Sequence, residues 1–168
     1  TFHAICAQIL RRSGNEIGVD SNFTIYDKDD QISLIKRSIE RAKVNPKQFS
    51  PMSILDRISG AKAQLADNRI FASQVSSYFE EVVSRVYQEY QFLLTESRSL
   101  DFDDLLLRTN ALFHTHPKTL EQYQFGFKHL LVDEFQDTNM AQYQIARQLS
   151  ALTRNICAVG DPVFFQEQ

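Results

Sequence analysis

The segment HLLVDEFQDTN, residues 129–139, decides the fold, because three apolar residues in it lead directly into two acids. Residues 130–132 predict a buried β-strand, and Asp133 and Glu134 follow where that strand ends. A second apolar segment, NICAVGD at residues 155–161, predicts another buried strand, and the residues between the two segments have helical periodicity. Strand, helix and strand in this order predict a βαβ unit with parallel strands.

The position of Asp133 and Glu134 suggests a nucleotide site, because α/β proteins bind ligands at the carboxyl edge of a parallel sheet. A carboxylate there can hold Mg²⁺ on the β- and γ-phosphates of a nucleotide, which is the Walker B arrangement of nucleotide hydrolases. A neighbouring glutamate can orient or deprotonate the attacking water. The two acids alone favour the alternative of a strand that ends in solvated carboxylates, so the assignment depends on the neighbouring motifs.

The residues before this unit have mostly helical patterns. Asp27 with Asp30 predicts a capping box, and segment 22–27 before the helix predicts a short extended connector. A single long helix is predicted from about Ala72 to Thr95. The predicted helices begin at or directly after the following residues: Phe2, Asp27, Pro51, Ala72, Asp101 and Pro117. Asp101 is predicted to cap its helix. The sequence therefore predicts an α/β fold in which a large helical region precedes a parallel-strand segment.

The amino-acid composition is that of a globular protein and limits the functions that the chain can have. The chain has 168 residues, of which 43% are hydrophobic and 23% charged, as in ordinary globular proteins. The net charge of −3 excludes a global basic field for nucleic acid, although a local basic surface remains open. Two cysteines, Cys6 and Cys157, are too few for a disulfide framework. Without a membrane-length apolar run or a signal peptide, we expect a cytoplasmic protein of bacterial type with no membrane partner.

Several motifs together resemble the UvrD/PcrA/Rep-type family of superfamily 1 DNA helicases. The resemblance covers essentially the whole chain, and the motifs occur in the family's order. They are TFH at residues 1–3, LDFDDLL at 100–106, DEFQDTN at 133–139 with Gln142, and VGDP at 159–162. The resemblance implies a RecA-like P-loop NTPase core, with a partial parallel sheet and a large all-helical insertion.

The same resemblance implies a division of the chain. Residues 1–21 would be part of the ATPase core and carry a helix that contacts single-stranded DNA. Residues 22–100 would form a helical accessory subdomain. Residues 101–168 would return to the ATPase core, with the Walker B strand and the βαβ unit that follows it.

The resemblance also implies roles at the nucleotide site. Asp133 would bind Mg²⁺, and Glu134 would be the catalytic base for ATP hydrolysis. Gln136 and Asp161 would contribute to nucleotide binding, and Asp137 would couple this site to the DNA-contacting motifs. Asp137 and the two residues after it have a structural alternative, since they can cap the following helix.

At the predicted DNA site, Thr1, Phe2 and His3 would contact single-stranded DNA, with the Phe2 ring stacking on a base. Asp103 and Asp104 would couple that contact to the motor core. The residue pattern leaves structural alternatives open. Phe2 also fits the apolar face of its helix, and the acids also suit the positive end of a helix dipole.

Two features depart from the family's pattern. No glycine-rich loop ending in Gly-Lys-Ser or Gly-Lys-Thr is present, although these enzymes use one to hold phosphates. Phe164 stands where the family has the glutamine that senses the γ-phosphate, and residues 163–168 suggest a frameshift or truncation. We therefore expect a fragment of a first motor domain that is inactive alone and needs the rest of the helicase chain as its partner.

The function implied for the parent protein is ATP-dependent movement 3′ to 5′ on single-stranded DNA and unwinding of duplex DNA, with ATP as substrate and Mg²⁺ as cofactor. One alternative is an AddA/RecB-like helicase–nuclease, which shares DEFQDT. Another is a metal nuclease that uses Asp133, Glu134 and Asp137. A third is a non-catalytic DNA- or protein-binding module that uses these basic residues: Arg11, Arg12, Lys36, Arg37, Arg41, Lys43, Lys47 and Lys62.

Overall fold

The computed structural model describes residues 1–45 and 48–161 as an α/β protein in which helices dominate. None of the described helices combines the length and the apolar content that crossing a bilayer requires. The helices are α1 Phe2–Ser13, α2 Lys28–Arg41, α3 Pro51–Ala63, α4 Asn68–Ser73, α5 Tyr78–Glu96, α6 Phe102–Thr115, α7 Pro117–Gly126 and α8 Met140–Ser150. The strands are β1 Thr24–Tyr26, β2 Ser99–Asp101, β3 Leu130–Val132 and β4 Ile156–Ala158, and short 3₁₀ helices span Gly14–Ile17 and Phe135–Asp137.

The predicted βαβ unit is confirmed. Strands β3 and β4 pair in parallel, with Leu130 opposite Ile156, and α8 connects them. The prediction that both strands are buried is wrong, since Leu131 is 78% exposed and all of β4 is exposed. Successive side chains point to opposite faces, so Val132 is buried while Leu131 faces away. Within the described residues, β4 pairs with β3 alone.

The predicted connector at residues 22–27 contains a strand instead. Strand β1 pairs in parallel with β2, with Thr24 opposite Ser99 and Tyr26 opposite Asp101. Helices α2 to α5 lie between these two strands in the chain, so the pair joins the start of the helical region to its end. The sequence did not predict this pairing, because a three-residue strand is too short to show a period and its partner is far away in the chain.

The helix predicted from Ala72 to Thr95 is also divided. Helix α4 ends at Ser73 and α5 begins at Tyr78, so the first part of the prediction is wrong. The break arises from a cap, because the Ser77 hydroxyl accepts a hydrogen bond from the Glu80 backbone N–H at 3.2 Å. The predicted starts at Asp27 and Pro51 are confirmed, the former with a complete capping box.

Two hydrophobic clusters form the core. The accessory core consists of buried residues within 34–94, contributed mainly by α2, α3 and α5. The main core consists of buried residues within 6–23 and 100–149, contributed mainly by α1, α6 and α8. Tyr87 and Tyr90 are among the largest fully buried side chains, and both belong to the accessory core. The helices between β1 and β2 therefore have apolar packing of their own.

Candidate active site

The turn after β3 exposes two carboxylates. Asp133 and Glu134 directly follow the strand, and both are exposed. The Asp133 Oδ1 accepts a hydrogen bond from the Glu134 backbone N–H at 3.0 Å. Glu134 has a φ of 52°, a left-handed conformation that is unfavourable for a residue with a side chain. The strand therefore ends abruptly at these acids, and the chain turns into the 3₁₀ helix Phe135–Asp137.

Gln136 connects the ends of the two parallel strands. Its Nε2 donates a hydrogen bond to the Glu134 Oε2 at 2.6 Å. Its Oε1 accepts one from the Asp161 backbone N–H at 3.1 Å. The structure thus brings Glu134, Gln136 and Asp161 into one hydrogen-bonded group, as expected for residues at the carboxyl edge of neighbouring parallel strands.

Gly160 allows this close approach. A Cβ at this position would overlap the side-chain oxygen of Gln136 and would lie 3.2 Å from the Phe135 backbone nitrogen. The backbone also holds the two loops together, since the Phe135 N–H donates to the Val159 carbonyl at 2.9 Å. A side chain at position 160 would therefore displace the Gln136 amide and crowd the backbone of the facing loop, a role for Gly160 that was not predicted from the sequence.

The segment after the acids caps helix α8. The Asn139 Oδ1 accepts from the Gln142 N–H at 2.9 Å, and the Gln142 Oε1 accepts from the Asn139 N–H at 3.0 Å. The capping alternative is therefore confirmed, with Asn139 as the cap residue. Asp137 is exposed in the 3₁₀ helix before it. Gln142, which contributed to the family resemblance, has a structural role in this reciprocal pair.

The donor chemistry of Asp133 fits Mg²⁺. One of its carboxylate oxygens accepts a backbone hydrogen bond, and the side chain is open to solvent. Mg²⁺ generally takes one or two protein carboxylates and completes its shell with phosphate and water. In residues 1–45 and 48–161, no group of three or more His, Cys, Asp or Glu side chains is placed to hold a metal ion. That result gives no support to the nuclease alternative with Asp133, Glu134 and Asp137.

A cavity of about 590 Å³ lies beside the hydrogen-bonded group of Glu134, Gln136 and Asp161. Its lining includes Gln136, Gly160 and Asp161 together with the exposed Tyr143. Asp133 and Glu134 are not part of this lining, although Glu134 is hydrogen-bonded to Gln136, which is.

The first three residues begin helix α1. The Thr1 hydroxyl accepts a hydrogen bond from the Ala4 N–H at 3.4 Å and caps the helix. Phe2 is partly buried against the main core, as the structural alternative for its ring predicts. The structure thus gives Thr1 and Phe2 local structural roles, while Thr1 is exposed and Phe2 and His3 are each partly buried.

His3 forms an aromatic pair with Phe102, the first residue of α6. The ring centroids are 5.8 Å apart, and the planes meet edge-on at 85°. Phe102 is 46% exposed. Burial lowers the pKa of His3 against the opposing effect of the Asp103 charge, so the imidazole is mainly neutral at pH 7. Phe102 was not among the residues predicted to contact DNA, although its place within LDFDDLL was the available signal.

Asp101 and Asp104 are buried and share a buried lysine. The Lys62 Nζ lies 2.7 Å from the Asp101 Oδ2 and 2.9 Å from the Asp104 Oδ1. Asp101 caps α6 as predicted, with its Oδ1 accepting from the Asp104 N–H at 2.7 Å. Assigning Lys62 to a basic surface is wrong, because its side chain is fully buried. A sequence signal existed, since Lys62 continues the four-residue spacing of Ile54 and Ile58.

Other basic residues of the binding-module alternative also have partners within the chain. Arg41 donates to Glu89 at 2.7 Å, and its guanidinium lies 5.0 Å from the centroid of the Phe92 ring. Arg11 donates to the Ser21 carbonyl at 3.0 Å.

The following predicted features lie outside the described residues: Lys47, Pro162 of the VGDP motif, Phe164 and the rest of segment 163–168.

Comparisons with known proteins agree with the motifs. Residues 1–163 match a family model described as the UvrD/REP helicase N-terminal domain. The chain is 46% identical over 161 residues to the ATP-dependent DNA helicase PcrA of Bacillus subtilis (strain 168). The aligned region covers 96% of this chain and 22% of that protein. Identity is 44% to the PcrA of Leuconostoc citreum and 40% to that of Staphylococcus aureus (strain Mu50 / ATCC 700699), each over 161 residues. The chain thus spans 22% of the length of these relatives.

Proposed function

The chain belongs to the UvrD/REP helicase N-terminal domain family, and from this membership we propose that it is part of the first motor domain of an ATP-dependent DNA helicase. The observation that carries the proposal is the bridge from Glu134 through Gln136 to the Asp161 backbone. It links the ends of two parallel strands at the edge where α/β motors bind nucleotide.

The proposed domain division follows the two hydrophobic clusters except at its boundaries, where Phe23 and Leu100 pack in the main core. Residues 1–21 and 101–168 belong to a RecA-like ATPase core, and residues 22–100 are a helical accessory insertion. The separate accessory core within residues 34–94 supports this division, as does the β1–β2 pair at the two ends of the insertion.

At the nucleotide site, Asp133 would hold Mg²⁺, which screens the charge of the β- and γ-phosphates when it is bound. Glu134 would accept a proton from the attacking water as general base. The bond from Gln136 holds one oxygen of Glu134 and so orients the carboxylate. Because Gln136 also holds the Asp161 loop, a shift of that loop would be transmitted to Glu134. Asp137, exposed in the same turn, is the proposed contact between this site and the DNA-contacting segments.

The DNA site would use the partly buried His3 together with the exposed Phe102 beside it. An exposed aromatic ring stacks on any base, which suits a protein that moves along single strands regardless of sequence. Thr1 and Phe2 would support this surface by capping and anchoring α1. Asp103 lies close enough to influence His3 electrostatically. From the family resemblance we also propose movement 3′ to 5′ on single-stranded DNA and duplex unwinding. A cytoplasmic location is proposed from the sequence pattern.

The DNA role can be tested with the chain itself. We expect Phe102→Ala to weaken binding to a fluorescent oligo(dT), measured by anisotropy, because base–aromatic stacking contributes about 1–3 kcal/mol per base. The matched control is Phe125→Ala on α7, which removes a phenylalanine that is 64% exposed. Equal affinities of both variants and the unmodified chain would contradict the proposed DNA site.

The catalytic role needs the phosphate-binding loop, which the 168 residues do not contain. We expect the chain alone to show no ATP turnover above background. A chimera in which the 161 matched residues replace their counterpart in Bacillus subtilis PcrA should hydrolyse ATP in response to single-stranded DNA. Glu134→Gln in the chimera should lower the rate by about 100-fold or more, whereas Glu121→Gln, at an exposed acid on α7, should not. An active Glu134→Gln chimera would exclude Glu134 as the base.

A further inference from the structure

We propose that Lys62 is a positioning residue, which fixes the first turn of α6, and with it Phe102, relative to the helical insertion. The inference rests on the proposed function, in that Phe102 is taken to contact single-stranded DNA. Lys62 lies on α3, whose apolar residues belong to the accessory core, while those of α6 belong to the main core. The lysine thus connects two parts of the protein that have separate apolar packing.

In the sequence, Phe102 lies between the two residues that Lys62 contacts, Asp101 and Asp104. Asp101, the cap residue of α6, directly precedes Phe102, and Asp104 follows it within the same helical turn. The ammonium group lies 2.7 Å from Asp101 and 2.9 Å from Asp104, and it makes a hydrogen bond with Asp101 only. Since the Asp104 N–H also donates to Asp101, the lysine and the cap together determine how the first turn is oriented.

Helix α5, which belongs to the accessory core, also contributes hydrogen bonds to Asp101 and Asp104 and so completes the network around Lys62. The Tyr90 hydroxyl donates to the Asp101 Oδ2 at 2.9 Å, and the Gln91 Nε2 donates to the Asp104 Oδ2 at 3.2 Å. Each carboxylate therefore receives a contact from α3 and another from α5. Only Phe102 and Asp103 of this turn are left outside the network, and they lie on the side of His3.

The buried charges of this network are better suited to orienting helix α6 than to stabilising its packing against α3 and α5. A buried ion pair loses the hydration of both partners, so apolar side chains of similar size would hold two helices together at least as well. Directional hydrogen bonds to a cap residue, in contrast, fix where a helix begins and how it is rotated. Two carboxylates with one ammonium leave a net negative charge, and the positive end of the α6 dipole is placed to stabilise it.

Loss of the ammonium should loosen the first turn without disrupting either core. The ring of Phe102 would then lie beside His3 for a smaller fraction of the time, and DNA affinity would fall. A variant that acts in this way loses its effect once Phe102 is absent, whereas a general loss of folding does not. A double-mutant cycle therefore separates positioning from stability.

The test measures oligo(dT) affinity by anisotropy, at a temperature at which circular dichroism shows each variant to be folded. We expect Lys62→Met to weaken binding by about threefold or more, and by no more than Phe102→Ala does. Adding Lys62→Met to Phe102→Ala should have no further effect. Hydrogen exchange of the amides at 102–106 should be faster in Lys62→Met than in the unmodified chain, relative to amides in the middle of α5. The matched control is Lys28→Met, since Lys28 is an exposed lysine of the same insertion.

The outcomes distinguish failure of the positioning role of Lys62 from failure of the proposed DNA site at Phe102. If Phe102→Ala weakens binding while Lys62→Met binds DNA as the unmodified chain does, the positioning role is refuted and the DNA site stands. Additive losses in the double variant also refute it. If Phe102→Ala has no effect, the proposed DNA site itself fails, and the role of Lys62 in DNA binding fails with it. If Lys62→Met does not fold, Lys62→Met with Asp104→Asn removes one buried charge along with the ammonium, and the same criteria apply to that variant.

Discussion

Replacing Lys62 by methionine should be one of the most destabilising single changes in this chain. The substitution keeps most of the side-chain stem and removes the ammonium from two carboxylates that are themselves buried. Removing one partner of a buried ion pair costs about 3–5 kcal/mol, because the remaining charge is left without compensation. Lys28→Met removes an ion pair to Asp56 whose side chains are 55% and 63% exposed, and should cost at most about 1 kcal/mol.

The assay is urea denaturation followed by circular dichroism at pH 7, with the free energy of unfolding obtained by linear extrapolation. A domain of this size has about 5–15 kcal/mol of stability in total, so the variant should retain a measurable transition unless that total lies near the lower value. Lys62→Met with Asp104→Asn should recover about 1–3 kcal/mol, since one unpaired buried charge is removed. A loss below about 1 kcal/mol for Lys62→Met, equal to that of Lys28→Met, would refute the reasoning.

The difference in the free energy of unfolding between Lys62→Met and the unmodified chain should depend on pH, because the fold shifts the pKa values of Lys62 and Asp101. Burial alone would lower the pKa of Lys62, but the charges of Asp101 and Asp104 raise it above 10.5. The stability that Lys62 contributes is therefore fully present below pH 10.5 and is lost as pH rises through the raised pKa. Burial and the Asp104 charge raise the pKa of Asp101. Its protonation favours the folded state at low pH, so the deficit of Lys62→Met should become smaller as the pH falls.

Three further predictions concern local features. Asp27→Ala removes the capping box of α2 and should lower the free energy of unfolding by about 1 kcal/mol, measured in urea. In the folded chain a thiol reagent should modify the exposed Cys157 rapidly and Cys6 only slowly, since burial raises the pKa of Cys6 to about 11; equal rates, with Cys157→Ser as reference, would contradict this. The hydrogen bond from Arg57 helps to lower the pKa of Glu80 to about 2. The stability that Glu80 contributes is thus present above pH 4.5 and lost as pH falls towards 2, so urea titrations of Glu80→Gln should differ from those of the unmodified chain at neutral pH and converge with them in acid.

The features that were predicted correctly depend on neighbours in the chain. Asp27 with Asp30, and Asp101 with Asp104, are pairs within one helical turn, and both caps are present as predicted. The βαβ order was predictable because apolar runs and helical periodicity are local patterns. The break between α4 and α5 was missed although it is also local, because the apolar residues on both sides continue with similar spacing and concealed the cap at Ser77.

The other features that were missed depend on distant partners. Strand β1 exists because it pairs with β2, more than seventy positions later, at Thr24 opposite Ser99. The partner of Gln136 at Asp161 and the aromatic partner of His3 at Phe102 are equally remote in the chain. The candidate acids were identified from sequence, but the hydrogen bonds that orient Glu134 were not.

The sequence by itself determined the starts of most helices, the order of the β3–α8–β4 unit, the family, and the acids at the end of β3. These properties follow from backbone conformation and side-chain spacing over a few residues. Only the tertiary structure decided that Lys62 is buried between two aspartates and that Gln136 links two strand ends. The physical reason is that a charged or amide side chain has no fixed location until its partner is known. A lysine in water and a lysine buried against carboxylates have the same local sequence, and only the packing of distant segments distinguishes them.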